Sequence, residues 1–348
     1  MTIQAWWQQP AAAVSESFRQ QALERQNQLT KPPGALGQLE QVAVQLAALQ
    51  QRVKPAVQNP QLVVFAGDHG VVAQGVSAFP QAVTVAMLSN FVAGGAAVSV
   101  LANLHAIGLS VVNCGTVTPC EHLAGVIQCP VMPGTQDFSQ QAAMSPAQAQ
   151  QALRIGAEQV ERLHAEGCDL FMAGEMGIGN TSAASCLAAL LLQQDVVALT
   201  GPGTGVQGDA LSHKQQVLAA SVARAQPLVS SPLQALEQVG GLELAAMCGA
   251  FMRAAQLGIP VLVDGFIATA SALLAVQLNP GVREWLLFGH RSAEPGHAAL
   301  LQALQAEPLI QLGMRLGEGS GAAVAYGVVQ QALALHNGMA TFAEAGIG

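Results

Sequence analysis

CDLFMAGEMGIGNTSAAS, residues 168 to 185, passes from an apolar run into a glycine-punctuated turn and then into an alanine-rich segment. An apolar run of this length bounded by glycine reads as a buried strand, and the segment after it carries no helix breaker, so the stretch is one strand–loop–helix unit. The same pattern recurs in LVVFAGDHG (62–70), GLSVVNCG (108–115), DVVALTGPG (195–203), IPVLVDGF (259–266) and WLLFGHRS (285–292), each taken as a strand. Segments of helical period separate them. The clearest, 145–166, opens with Ser145, Pro146 and Gln148, a capping box with proline at the first helical position, and stops at Gly167. This alternation predicts an α/β protein with a mainly parallel sheet. Residues 59–292 are expected to form a large α/β domain. Residues 1–58 and 293–348, which lack strand signals, are expected to form a smaller helical domain built from both chain ends.

Composition narrows the function. The 348 residues are 51% apolar and carry 36 glycines but a single tyrosine, which suits close packing of helices on a sheet. A formal charge of −8, with lysine only at positions 31, 54 and 214, argues against a nucleic-acid partner and for a small molecule. No uninterrupted apolar run reaches the roughly 18 to 20 residues of a membrane span. The best candidate, GIPVLVDGFIATASALLAVQL, is broken by Asp264. MTIQAWWQQP lacks the basic and apolar regions of a secretory signal, so a cytoplasmic protein is expected. The six cysteines form no CxxC pair and read as buried thiols. No HExxH, DxD or spaced carboxylate set occurs, and no catalytic metal is predicted.

In open parallel sheets ligands bind beyond the C-terminal ends of the strands. Asp68, His69, Glu175, residues 200–205, Asp264, His290 and Ser292 all fall there and are expected to share one mouth. Within GEMGIGNTSAAS (174–185), Asn180 or Thr181 is expected at the N-cap, with the free amides of the first turn available to a phosphate. A plain tight turn is the other reading. GPGTGVQG (201–208) contains a formal GxGxxG, but no acidic residue follows at the end of a second strand, which speaks against a dinucleotide-binding dehydrogenase. Lys214, shortly after it, is either a point charge for a phosphate or a solvated surface residue. Asp68 and His69 point to opposite sides of an extended chain, so a role in orienting loops stands beside an acid–base or metal role. His290 and Glu294 raise the same ambiguity. In LGEGSGAA (316–323), Glu318 either favours a helix dipole or, in an apolar mouth that raises its pKa, serves as a general base.

The motifs TKPPGALGQLE (30–40), FAGDHGV (65–71), GVSAFPQAVT (75–84), GEMGIGNTS (174–182), GGLELAAMCGA (240–250), PVLVDGF (260–266), HRSAEPG (290–296), RLGEGSGAA (315–323) and MATFAEAGI (339–347) stand in an order that resembles the nicotinate-nucleotide:dimethylbenzimidazole phosphoribosyltransferase family. The resemblance implies a Rossmann-like, mainly parallel sheet with helices on both faces, a homodimer, and no cofactor. It also implies transfer of the 5-phosphoribosyl group of nicotinate mononucleotide to 5,6-dimethylbenzimidazole, in cobalamin nucleotide-loop assembly. Glu318 matches the family's catalytic glutamate. Phosphate and ribose are assigned to Glu175, Gly177, Gly179, Asn180, Thr181, Gly203, Lys214 and Ser292, with Leu316 also against substrate. Where other members carry a serine and a glutamine facing the base, this chain has Phe79 and Met87, which suit stacking and apolar contact. Another lower-ligand base, or a non-catalytic nucleotide sensor of the same fold, are the alternatives.

Overall fold

The computed structural model describes residues 5–347. Six strands form one sheet: β1 (Pro60–Gly67), β2 (Gly108–Gly115), β3 (Val126–Gln128), β4 (Leu170–Met176), β5 (Val261–Val263) and β6 (Leu286–Phe288). Every pairing is parallel, and the order is β3-β2-β1-β4-β5-β6, the doubly wound arrangement of Rossmann-like folds. The central strands β1, β4 and β5 are buried on both faces, which is why they read as apolar runs and not as alternation.

Helices α1 (Glu16–Gln28) and α2 (Gln38–Gln50) precede β1; α3 (Ala82–Val92) and α4 (Ala97–His105) lie between β1 and β2. The helix α5 (Pro146–Ala165) leads into β4. After β4 come α6 (Asn180–Leu192), α7 (Val196–Leu199), α8 (Asp209–Ala225), α9 (Pro232–Val239) and α10 (Leu242–Leu257). Then α11 (Phe266–Leu278) follows β5, and α12 (His297–Ala303), α13 (Ser320–Gly338) and α14 (Phe342–Ala345) follow β6. One face of the sheet is covered by α10 and α11, the other by α3, α4 and α13. The chain ends meet where α1, α2 and α13 pack together and Leu29 bridges to Thr341.

The expected capping box opens α5: Gln148 N donates to Ser145 Oγ at 3.3 Å, and Ser145 N to the Gln148 side chain at 2.8 Å. Residues 195–203, expected as a strand, are instead the helical turn α7 and a loop. Asp195 Oδ1 accepts from Val197 N at 3.0 Å, and the buried residues Val196 and Leu199 stand three apart, a helical spacing that four apolar residues do not distinguish from a strand. The edge strand β3 has only three residues, too few for any period to show in the sequence. By length and composition residues 82–105 would suffice to cross a bilayer, but they form two helices, α3 and α4, turned at residues 93–96.

Glycine sets the tightest helix contact. A Cβ on Gly249 of α10 would collide with the carbonyl of Leu153 in α5, and one on Gly156 of α5 with that of Ala246. Because backbone cannot yield as a side-chain tip can, Gly249→Ala is expected to lower the unfolding free energy by about 3 kcal/mol in a urea titration, at the upper end for overpacking.

Candidate active site

The strand order reverses between β1 and β4: the chain leaves β1 for β2 on one side and β4 for β5 on the other. A crevice therefore opens beyond these two C-terminal ends. Gly177, just past β4, lies so close to β1 that a Cβ would collide with the carbonyl of Gly67. The next glycine, Gly179, has φ +96° and is the N-cap of α6, a position expected for Asn180 or Thr181. Its left-handed backbone favours glycine, and an added Cβ would lie 2.7 Å from Val72 Cγ2, so Asn180 is displaced into the first turn.

A cavity of about 330 Å³ fills this crevice. Phe79, Val83 and Met87, from α3 and the segment before it, line it together with Leu316 and Phe266. Glu175, Gly177, Asn180 and Thr181 reach it from the loop after β4. Asp264, His290 and Ser292 come from the ends of β5 and β6, Gly203 from the loop after α7, and Gly317 and Glu318 from the start of α13. The lining is apolar with a few converging polar groups, the usual constitution of a small-molecule site.

Glu318 stands in an unusual backbone. Its φ is +67°, between Gly317 and Gly319, both at +84°. Glycine adopts this conformation freely, whereas glutamate is strained in it, and such strain gathers at functional sites. Asp264 holds the turn: its Oδ2 accepts from Gly319 N at 3.2 Å and its Oδ1 from Ala322 N at 2.8 Å. The Glu318 side chain is 6% exposed, and its Oε2 has no hydrogen-bond partner. Burial, with the negative Asp264 nearby, raises its carboxyl above the ordinary range, while the Val98 amide favours the charged form. A buried carboxylate with one unpartnered oxygen and a raised pKa can accept a proton from a bound ligand.

Glu175 is held well above the usual carboxylate range by burial and by the charges of Glu243, Asp264 and Glu318. Asn180 Nδ2 donates to its Oε2. A Cβ on Gly317 would collide with its Oε1, so the acid rests directly on the backbone that carries Glu318.

At the glycine-loop end, Lys214 is buried and not solvated. Its Nζ donates to Thr181 Oγ1 at 3.0 Å and to the carbonyl of Gly201 at 3.2 Å. Burial pulls its pKa down to about 8, against the field of Glu294. Glu294 accepts from Gly203 N at 3.2 Å, and the exposed Arg315 donates to the carbonyl of Gly203 at 3.2 Å. The Thr181 hydroxyl and this ammonium thus meet at the N-terminal end of α6, whose Asn180 and Ser182 amides are engaged by the Gly177 and Gly179 carbonyls; the positive end of a helix beside a buried cation favours negative charge.

The cavity thus gathers Phe79, Met87, Glu175, Gly177, Asn180, Thr181, Gly203, Ser292, Leu316 and Glu318. Gly179 and Lys214 stand just outside its surface, in the cap and behind Thr181. Asp68 and His69 do not line it either. Asp68 binds Thr84 and the Val117 amide, and His69 Nε2 meets Glu243 Oε1 at 2.6 Å, both fully buried. His297 is also structural: its Nδ1 accepts from Ser292 N at 2.7 Å, its Nε2 faces Thr269 Oγ1 at 3.0 Å, and burial takes its pKa down to about 3. The cavity also holds Arg315 and Phe266, which the sequence does not mark as site residues. Arg315 adjoins the GEGSGAA motif, the signal that could have found it, whereas Phe266 reads as one more core residue. Among the described residues no group of three His, Cys, Asp or Glu side chains is placed to hold a metal ion.

Fold and site together define a phosphoribosyltransferase, and a family model described by that word matches residues 11–347. The nicotinate-nucleotide–dimethylbenzimidazole phosphoribosyltransferase of Ectopseudomonas mendocina is 53% identical over 342 residues, covering 98% of this chain and 97% of that protein. Its namesake from Xanthomonas campestris pv. campestris strain B100 is 55% identical over 342 residues, 98% of each chain. The crystal structure of the enzyme of that name from Thermus thermophilus superposes with a TM-score of 0.91 at 44% identity, covering 96% of this chain and 99% of that one. The chain belongs to the nicotinate-nucleotide–dimethylbenzimidazole phosphoribosyltransferase family, and is an enzyme and not a passive sensor.

Two features at residue 318 oppose folding, a left-handed glutamate and a buried carboxylate. Glu318→Gly is expected to raise the unfolding free energy by about 1 kcal/mol, the strain released less the added chain entropy, measured by urea titration at pH 7.

Proposed function

We propose that this enzyme transfers the 5-phosphoribosyl group of nicotinate mononucleotide to 5,6-dimethylbenzimidazole, giving α-ribazole 5′-phosphate and nicotinate, with Glu318 as general base. The observation that carries this reading is the strained, buried carboxylate of Glu318, unpartnered at Oε2 and facing an apolar cavity. Glu318 takes the proton from one ring nitrogen of the acceptor. The other nitrogen attacks the anomeric carbon as the pyridine nitrogen of nicotinate leaves with the glycosidic electron pair. Attack opposite the leaving group inverts the centre to the α configuration. Glu175, whose carboxyl burial raises well above the usual range, is drawn towards its charged form by the positive charge that develops on the ribose, since a nearby cation favours that form. The phosphate sits at the start of α6, against Thr181, Gly203 and Lys214.

The printed names of the relatives support these substrates. Phe79, 50% exposed at the mouth, and the half-buried Met87 give the acceptor an apolar surround that suits its methyl groups. The same reading carries a cytoplasmic homodimer, for which Val100 and Leu104, exposed one turn apart on α4, offer an apolar face.

The test is a product assay with nicotinate mononucleotide and dimethylbenzimidazole, benzimidazole, adenine or a phenol, with EDTA present. Formation of α-ribazole 5′-phosphate is expected with dimethylbenzimidazole as the best acceptor; preference for another overturns the acceptor assignment, and no transfer overturns the reaction.

Glu318→Gln is expected to lower kcat by ~10² to 10⁴ while nicotinate mononucleotide still binds. A variant active within a few-fold would remove Glu318 from the mechanism. The pH profile carries both shifts. Glu318 must be deprotonated, so kcat/KM climbs with pH through a limb displaced above the ordinary glutamate range, a limb that Glu318→Gln lacks. Lys214 is charged below about pH 8 and neutral above it, so KM for nicotinate mononucleotide is expected to rise on the alkaline side.

A further inference from the structure

Between the apolar wall and the glycine loop lies a hydroxyl that the reaction itself does not use. Thr84 is fully buried in α3, where its Oγ1 donates to Asp68 Oδ1 at 2.6 Å and accepts from Ile178 N at 3.2 Å. Asp68 is anchored in turn, its Oδ2 accepting from Val117 N at 2.8 Å at the end of the sheet. Val83 and Met87, one residue before Thr84 and three after it, line the cavity, and so does Ile178, between the two glycines of the loop. One hydroxyl therefore joins the helix that faces the acceptor to the loop that opens α6. Among the described residues it is the only buried polar side chain of α3. A second tie acts at the helix start, where Gln81 Nε2 donates to the carbonyl of His69 at 3.0 Å.

We infer that Thr84 is a positioning residue, with Asp68 as its anchor: it sets the distance between the acceptor ring on α3 and the ribose held by the 177–179 loop. The inference rests on the transferase reading above. Thr84 touches neither substrate. It acts on the approach of nitrogen to the anomeric carbon, where a displacement of about 1 Å can cost ~10²-fold in rate. The loop keeps its own turn bonds without it, Asn180 N to the Gly177 carbonyl at 3.0 Å and Ser182 N to the Gly179 carbonyl at 3.0 Å, so nucleotide binding should survive.

The test compares Thr84→Val, which keeps the volume and β-branch but lacks the hydroxyl, with Thr84→Ser, which restores it. At saturating nicotinate mononucleotide, Thr84→Val is expected to lose about 30-fold in kcat/KM for dimethylbenzimidazole, with Thr84→Ser within about three-fold of wild type. The dissociation constant of nicotinate mononucleotide, measured by equilibrium titration, should stay within about three-fold throughout, because the loop and the ammonium are intact. Wild-type kcat/KM in Thr84→Val, an equal loss of nucleotide affinity, or no rescue by serine overturns the inference and leaves the transferase reading standing. A wild-type enzyme that transfers to no acceptor overturns both. If Thr84→Val does not fold, Thr84→Ala is measured by the same two constants and judged by the same outcomes.

Discussion

Backbone lies against backbone where β1 and β4 end, and the rest of the site follows from that approach. Gly177 leaves no room for even a methyl group beside the Gly67 carbonyl, so the loop after β4 folds directly over the neighbouring strand. The strands on either side of this pair are reached in opposite directions, so no crossover helix covers the gap, and the first turn of α6 faces into it. A side chain at residue 177 would push that turn off the sheet and take with it the amides, Asn180 and Thr181. The crevice is thus a product of topology, and its depth a product of one missing Cβ.

Over this crevice the C-terminal part of the chain places its acid. Residues 317–319 run in the left-handed region, which turns the Glu318 side chain into the pocket before α13 begins. Asp264 makes the arrangement tolerable: it is buried, yet both its oxygens receive amides of the α13 start. Glu175 completes the group, packed on Gly317, its carboxyl raised well above the usual range by burial and by its negative neighbours. Three acids near one apolar cavity would repel one another if all were ionised. Burial divides the roles: one carboxyl is satisfied by backbone amides, one beside Asn180 has its pKa raised well above the usual range, and one is left without a partner at Oε2.

At the other end the arrangement is cationic but restrained. Lys214 points inward behind Thr181 and Gly203 instead of into open solvent, with Glu294 close enough to hold its charge. A buried ammonium beside the N-terminal end of a helix makes this end of the cavity locally favourable to negative charge, in a chain that carries −8 overall.

Much of this could be read from residue order alone. Apolar runs ending in glycine announced five of the six strands, the Ser145–Gln148 box announced α5, and GEGSGAA singled out Glu318 among few charges. These signals are local: periodicity, caps and glycine act over a few residues and survive in any context. The errors were local as well. Four apolar residues after Asp195 do not tell a helical turn from a strand, β3 is too short for any period to show, and the cap of α6 went to Gly179 because only tertiary packing puts Val72 where a side chain would be. Nothing in the sequence said that Lys214 is buried, that Asp68 and Thr84 meet, or that Arg315 reaches Gly203 across 112 positions. Those relations depend on distances between segments far apart in the chain, and such distances exist only once the sheet has fixed which strand ends lie side by side.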